Sequence, residues 1–407
     1  MTLVNLNRPS AASDGDDLGG GAYDMKPSTF EARLTEVGRG TPMGELLRRY
    51  WHPVGLSTHA TDTPREVRIL GEDLVLFRDG EGRPGLVHAR CAHRGATLYY
   101  GKVEDRGIRC CYHGWLFDVK GHCLEQPCEP DMGAKFRGRV RQPWYPVEEL
   151  YGLIFAYMGP PTKRPVLPRY ECLENLAEGE FIDVDDTSIG SGGGAIAPCN
   201  WLQSFENVAD PYHVPILHGS FSGTQFTEVM NQFPKEIEFT MTDRGVQIRS
   251  VRPLADGRTM NRIVETVMPT LRAVPNPVHG QLGVPVEFLG WTIPIDDTHY
   301  RIYTAGRVRT KGVFMTNAEG KPMFDTPRET TPEERRARPG DWEAQTGQGS
   351  ITLHSEEHLA QSDRGVVMVR KILRDQLRAL DQGTDPIGVS FDADAPPLKL
   401  SAGNWLL

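Results

Sequence analysis

Apolar and polar positions change period several times along the chain. Leu46, Leu47 and Tyr50 follow Thr41 and Pro42 at helical spacing. Thr41 is a capping residue type and Pro42 suits a first helical turn, so a short helix is expected there. The period then shortens. Glu66 to Leu70, Leu74 to Arg78 and Leu86 to Arg90 are β-rich runs, separated by Gly71-Glu72-Asp73 and by Asp79-Gly80, which is hairpin chemistry. Cys110 to Asp118 and a turn at Lys120-Gly121 continue the pattern. Residues 1–44 read as a lead-in and helix, and 45–160 as a small all-β domain. Pro160-Pro161, Pro165 and Pro168 mark the boundary, since successive prolines stiffen a connector and end strand pairing. Residues 161–407 form a second domain with long strands at Glu236 to Thr242, Val246 to Val251 and His299 to Arg309. Val366, Val369, Leu373, Leu377 and Leu380 then fall at helical spacing, with Ser362 or Asp363 as cap and Gly383 as stop. The expected class is α+β, with an antiparallel sheet and a long C-terminal helix.

Composition narrows the function. The 407 residues carry 45 Lys+Arg against 54 Asp+Glu, a net charge of −9, which argues against a nucleic-acid partner. Mean hydropathy is −0.42 and no apolar run nears the ~18 residues a bilayer needs, so no membrane association is expected. Residues 1–25 lack a basic region followed by an apolar core, and a cytoplasmic location follows as an expectation. Seven cysteines is an odd number, pointing to free thiols or metal ligands rather than a full disulfide framework.

Cys91-Ala92-His93 and Cys110-Cys111-Tyr112-His113 each join a thiol to an imidazole on a loop beside a strand, with sixteen residues (94 to 109) between the two motifs. Two such loops can close on a tetrahedral zinc ion or on a 2Fe-2S cluster with two cysteines on one iron and two histidines on the other. Zinc fingers usually leave two or more residues between paired ligands, whereas Cys91 and His93 leave one. Cys91-Ala92-His93-Arg94-Gly95 and Cys110-Cys111-Tyr112-His113-Gly114-Trp115-Leu116-Phe117 resemble the two loops of Rieske domains. The resemblance implies that Cys91 and Cys110 bind one iron and His93 and His113 the other, with Cys111, Cys123 and Cys128 as bystanders.

A second constellation is Asn207, Asp210, His213 and His218. His213 and His218 are five residues apart, about 140° out of phase on an α-helix, so both reach one metal if the helix breaks, and Pro215 can break it. Two histidines with a carboxylate make a facial triad for Fe(II). Following a Rieske motif, this arrangement resembles the catalytic half of Rieske non-heme iron oxygenases, phthalate-dioxygenase-like branch. The segment Thr41 to Trp51 is also similar to that branch. The resemblance implies a helix-grip catalytic domain, mononuclear iron on His213 and His218, and an Asp210 that bridges to a cluster histidine of a neighbouring subunit. Asn207 falls where family members often carry a residue near the iron; a helix hydrogen bond accounts for it equally. For the third ligand the candidates are Asp325, Asp341 and Asp363, with Glu343 behind them. In the branch this Asp shortly precedes a Gln-Gly turn, as Asp341 precedes Gln348-Gly349, while Asp363 looks like a helix-start residue.

The chain is thus expected to be a terminal oxygenase α subunit, a homotrimer with one 2Fe-2S cluster and one Fe(II) per subunit. An NAD(P)H-dependent reductase, directly or through a ferredoxin, would supply electrons. The substrates would be O2 and an aromatic, carboxylated compound undergoing ring dihydroxylation or O-demethylation. N-demethylation of an aromatic amine and a non-enzymatic zinc protein are the alternatives. Gly190 to Gly194 lacks a P-loop ending and reads as a loop, and no flavin or nicotinamide fingerprint occurs. Thr330 to Arg338 and the pair His354 and His358 read as solvated faces.

Overall fold

A computed structural model describes residues 25–129, 133–187, 195–222, 226–277, 282–312 and 331–407. The Gly190 to Gly194 run, Asp325 and Thr330 lie outside the described residues. The expected first helix forms over Pro42–Leu47, its N-terminus capped by the Thr41 hydroxyl accepting from the Gly44 N–H at 3.2 Å. It ends short of Tyr50. The last turn tightens to three-residue bonds, Arg49 to Leu46 and Tyr50 to Leu47, and the buried His52 imidazole takes the Leu47 carbonyl at 2.8 Å. The chain then enters strand Trp51–Leu56.

His52 makes acid stability testable. Burial pushes its pKa down to about 4, the Leu47 carbonyl opposing only in part and the Arg48 charge adding to the fall. Between an unfolded pKa near 6.5 and the folded value, the unfolded chain binds more protons. This site's contribution, about 3 kcal/mol, is present above that window and lost as pH falls through it. The melting temperature is expected to drop from pH 7 to pH 5, and His52→Gln, which keeps a donor for Leu47, should flatten that part of the drop. An unchanged pH dependence in the variant would remove His52 from the account.

Among the described residues the N-terminal half contains three small antiparallel sheets. Trp51–Leu56 pairs with Leu153–Tyr157, which pairs with Val147–Leu150. Arg65–Ile69, Glu72–Arg78, Pro84–His88 and Trp144–Tyr145 form the second sheet, and Lys102–Glu104, Gly107–Arg109, Leu116–Phe117 and Cys123–Glu125 the third. Cys110 to Trp115 is the loop between strands Gly107–Arg109 and Leu116–Phe117, as expected of a thiol and an imidazole on a loop beside a strand. The first hairpin turns at Leu70-Gly71, both at positive φ, rather than at Gly71-Glu72-Asp73. A left-handed leucine is costly, but Leu70 is fully buried. The Leu70 and Gly71 N–H groups donate to the Pro294 and Ile295 carbonyls at 3.0 and 2.9 Å, so tertiary docking offsets the strain.

The C-terminal half is built on a nine-stranded antiparallel sheet that curls into a half barrel. Its main path runs Phe181–Asp185, His299–Val308, Phe288–Asp296, Leu271–Ala273, Thr259–Val267, Gly245–Pro253, Glu236–Met241. Gly403–Leu406 adds to Thr259–Val267 and pairs with Val284–Pro285. Helix Arg364–Asp381 packs Val369, Ile372, Leu373 and Leu377 against the Gly245–Pro253 side of the sheet and stops at Gly383, φ 77°. Asp363 precedes it, but its carboxylate accepts from the Ala360 N–H at 2.7 Å rather than capping the first turn. One apolar core joins both halves, with Phe155 edge-on to Trp291 at 5.6 Å, and a smaller one of Phe77, Leu98, Ile108 and Phe117 lies under the two cysteine loops. No helix among the described residues is long and apolar enough to cross a membrane.

Candidate metal centres

The two cysteine loops share one backbone plan. The Cys91 N–H donates to the Ala96 carbonyl (2.8 Å) while its carbonyl accepts from Gly95 (2.8 Å). Cys110 does the same with Trp115 (2.9 Å) and Gly114 (3.0 Å). Gly95 and Gly114 both sit at positive φ, 77° and 71°, which a side chain rarely adopts. The loops therefore present Cys91 and Cys110, each 3 % exposed, beside half-buried His93 and His113, whose ring centroids are 4.6 Å apart. His93 stacks on Trp115 at 4.3 Å, and its buried Nδ1 has no hydrogen-bond partner. Burial, with His113 and Arg94 nearby, lowers the His93 pKa and keeps the imidazole neutral, the metal-binding state. Burial also raises the Cys91 thiol, so a thiolate there needs a cationic occupant. Two thiols and two imidazoles on two rigid loops, one nitrogen orphaned, fit a Rieske cluster. Cys111 and Cys128 are exposed, Cys123, Cys172 and Cys199 are buried, and all seven cysteines are unpaired.

Each loop is pinned by one side chain that sequence reading missed. Gln142, fully buried, accepts from the Ala92 N–H (2.7 Å) and donates to the carbonyls of His88 (2.7 Å) and Arg90 (3.0 Å). Arg109 donates to the Gly114 carbonyl at 2.6 Å while held by Glu104 and Glu125. Gln142→Leu strips three backbone groups of their partner, each worth about 1–3 kcal/mol when buried. The expected result is reduced acid-labile sulfide per chain after purification, with sulfide at the wild-type level counting against this role.

The second constellation assembles on helix Trp201–Asn207, the turn after it, and helix Asp341–Gly347. Asp210 accepts from the backbone N–H groups of Tyr212 (2.9 Å) and His213 (3.3 Å), which closes the turn and starts the next helix. The expected break at Pro215 does not occur. Val214–Phe221 is a π-helix, whose five-residue turn returns the chain to the same side and brings His218 beneath His213, ring centroids 5.4 Å apart. Asp341 opens its own helix, with Gly340 N–H donating to Glu343 (2.9 Å). His213, His218 and Asp341 offer ligand atoms within 4.8 Å of one another. The Asp341 carboxylate lies 3.3 Å from His218 Nε2 and 3.7 Å from His213 Nε2. Asn207 Nδ2 donates to Asp341 at 3.2 Å, so its side chain serves the cluster of ligands rather than its own helix.

Charge at this site is tightly balanced. Burial opposes ionisation of Asp341, but His218, His213 and Arg272 hold its carboxyl well below the usual range. Burial likewise opposes charge on His213, while Asp210 and Asp341 raise its pKa, and Asp210 is held low by His213 and the two backbone donors against its own burial. Two imidazoles and an ionised carboxylate on one side of a cavity fit a 2-His-1-carboxylate iron site. Supporting side chains lock the ligand helices. Gln203 donates to the Gln345 carbonyl at 2.7 Å, Tyr300 donates to Gln345 Oε1 at 2.6 Å, and a Cβ at Gly365 would lie 2.1 Å from the Ala209 carbonyl oxygen. His354 departs from the solvated face expected of it: it is half-buried in a short turn and its Nδ1 accepts from the Glu31 N–H at 3.1 Å, whereas His358 and the capped helix Pro332–Ala337 are exposed as expected.

The triad stands at one side of a cavity of about 210 Å³. Even-numbered residues of five strands line it, apolar at Ile248, Val264 and Ile302 but cationic at Arg252, Arg262 and Arg272. Those arginines were not singled out from sequence.

Fold and site together define a protein with a cysteine–histidine cluster domain and a separate histidine–carboxylate centre at a substrate-sized cavity. Residues 50–143 match the family model described as Rieske [2Fe-2S] domain, which decides between cluster and zinc. The phenoxybenzoate dioxygenase subunit alpha of Ectopseudomonas oleovorans is 49 % identical, across 95 % of this chain and 94 % of that one. The 5,5'-dehydrodivanillate O-demethylase oxygenase subunit of a Sphingobium strain is 34 % identical, across 88 % and 82 %. A crystal structure of dicamba monooxygenase with non-heme iron and dicamba shares the fold, with TM-score 0.55 and 18 % identity, covering 83 % of this chain and 99 % of that one. The chain belongs to the Rieske non-heme iron oxygenases, as an oxygenase subunit of the phthalate-dioxygenase-like branch.

Proposed function

We propose that the chain is the oxygenase component of a cytoplasmic multicomponent system that oxidises a carboxylated aromatic compound, by ring dihydroxylation or O-demethylation. One observation carries the reading: His213, His218 and Asp341 converge beside a largely apolar cavity in a chain that also carries a Rieske domain. When bound, a cluster at Cys91, His93, Cys110 and His113 supplies single electrons, and Fe(II) at the triad activates O2. Residues 45–160 serve electron delivery and 161–407 the oxygen chemistry.

The protein's own groups do the rest. Asn207 orients Asp341 through its 3.2 Å hydrogen bond. Ile248, Val264, Ile302 and Phe226 give the ring an apolar seat that excludes water. Asp210 Oδ2 lies 3.5 Å from His213 Nδ1 and its side chain is 29 % exposed, so one carboxylate can face His213 and a second imidazole arriving from outside. His93 and His113 are themselves half-buried and partly open to solvent. This supports a homotrimer in which one subunit's cluster histidine meets its neighbour's Asp210. A separate reductase, with or without a ferredoxin, reduces the cluster.

The test is product analysis of the iron-loaded protein with a generic reductase, NADH and a panel of benzoates, phthalates, methoxyaromatics and diaryl ethers. Hydroxylated or demethylated product from a panel member is expected. Absence of any product despite intact metal centres would overturn the function.

A further inference from the structure

Arg252 and Arg262 stand side by side in the cavity wall. They are 2 % and 5 % exposed. Arg252 sits on strand Gly245–Pro253 opposite Met260, and Arg262 on strand Thr259–Val267 opposite Ser250, so the two are diagonal neighbours on the cavity face of the sheet. Arg252 spends Nη1 on the carbonyls of Val229 (3.1 Å), Met230 (3.2 Å) and Gln232 (2.6 Å), while its buried Nε has no acceptor. Arg262 is fixed by Asn404 Oδ1 (2.9 Å) and the Pro275 carbonyl (2.5 Å). Among the described residues no carboxylate lies within ion-pair distance of either. Two adjacent buried cations held only by neutral groups are an arrangement that desolvation and like-charge repulsion both oppose. Burial pushes Arg252 down to about 10, and burial with Arg252 alongside pushes Arg262 to about 9, so both remain charged at neutral pH.

Arg272 differs. It lies on strand Leu271–Ala273 opposite Gly290, where a Cβ would come within 2.9 Å of its side chain. It reaches Ser204 at 3.4 Å, and its charge faces Asp341. The ligand carboxylate therefore already balances Arg272, and the uncompensated positive charge belongs to the other pair.

We propose that Arg252 and Arg262 receive the carboxylate of the substrate, on strands other than the one that carries Arg272, whose charge Asp341 already offsets. The ring is thereby presented to the triad by a side other than the one bearing the carboxylate. An anion there would turn two uncompensated cations into charge-assisted hydrogen-bonded partners. The chain then selects mono-anionic aromatic acids and oxidises them at a position remote from the acid group. This deepens the proposed function, resting on the cavity being the substrate site.

Calorimetric titration of the iron-loaded protein with benzoate, a phenoxybenzoate and the matching carboxamides tests it. The acids are expected to bind at least about tenfold more tightly than the amides, as a hydrogen bond to a charged group predicts. Arg262→Gln and Arg252→Gln should each erase that preference while leaving amide affinity, the internal check on folding, in place. Arg262→Lys should retain part of it. Equal affinity for acid and amide in the wild-type protein, no binding of either, or a preference that survives both substitutions and disappears in Arg272→Gln would overturn the assignment. Oxidation of neutral aromatics with no acid preference would sink this inference while leaving the oxygenase reading intact.

Discussion

Asp210→Asn is expected to leave both metal centres filled and yet lower steady-state turnover by about a hundredfold, the upper range for residues that act through a ligand. Asp210 touches the metal site only through His213, at 3.5 Å, and through the backbone donors of Tyr212 and His213. Asparagine is isosteric and its Oδ1 can still accept from both backbone groups, so the turn that starts the π-helix survives. What it loses is the negative charge that faces His213 and an incoming imidazole. Iron and sulfide content should therefore match wild type, and single-turnover product from pre-reduced protein should fall in rate more than in affinity for the aromatic. Loss of mononuclear iron in Asp210→Asn would instead make Asp210 a positioning residue for His213. Unchanged turnover would remove it from the electron path.

Asp341→Ala carries the second large effect. It deletes the one carboxylate of the triad and leaves Asn207 without its acceptor at 3.2 Å. It also removes the negative charge that raises the His213 pKa and balances Arg272. Two histidines alone hold a divalent metal poorly, and a loss of mononuclear iron with turnover down by more than about a hundredfold is expected. The cluster, on separate loops, should keep its sulfide and colour. Full retention of mononuclear iron would move the third ligand elsewhere.

How much of this was legible in the chain depends on whether the signal is local. The cysteine–histidine loops were readable because spacing, glycine and loop context all lie within a few residues. Helix Arg364–Asp381 was readable because Val369, Leu373 and Leu377 follow a helical period. Asp341 is 134 residues from Asn207, and no periodicity links them; family resemblance picked it out, and the fold brings it within 3.3 Å of His218. The His213–His218 spacing was read against α-helical geometry, and the five-residue turn of Val214–Phe221 resolves it without the break assigned to Pro215. Thr259–Val267 went unnoticed as a strand because Arg262, at an inward position, interrupts the apolar alternation on which strand reading depends. The same inversion hid the cationic cavity wall. Leu70 misled for a related reason, since its left-handed conformation is stabilised by contacts with a strand more than two hundred residues away.

The central claim is that one chain holds two distinct iron sites on two separate ligand sets. The ratio of iron to acid-labile sulfide in the purified wild-type protein, read alongside the EPR spectrum of the reduced form, tests it most directly. A 2Fe-2S cluster alone gives equal iron and sulfide, so the account predicts iron in excess of sulfide, a Rieske signal on reduction, and the excess abolished in Asp341→Ala. Equal iron and sulfide in protein that turns over an aromatic, or zinc in place of iron with no reduced-state signal, would contradict it.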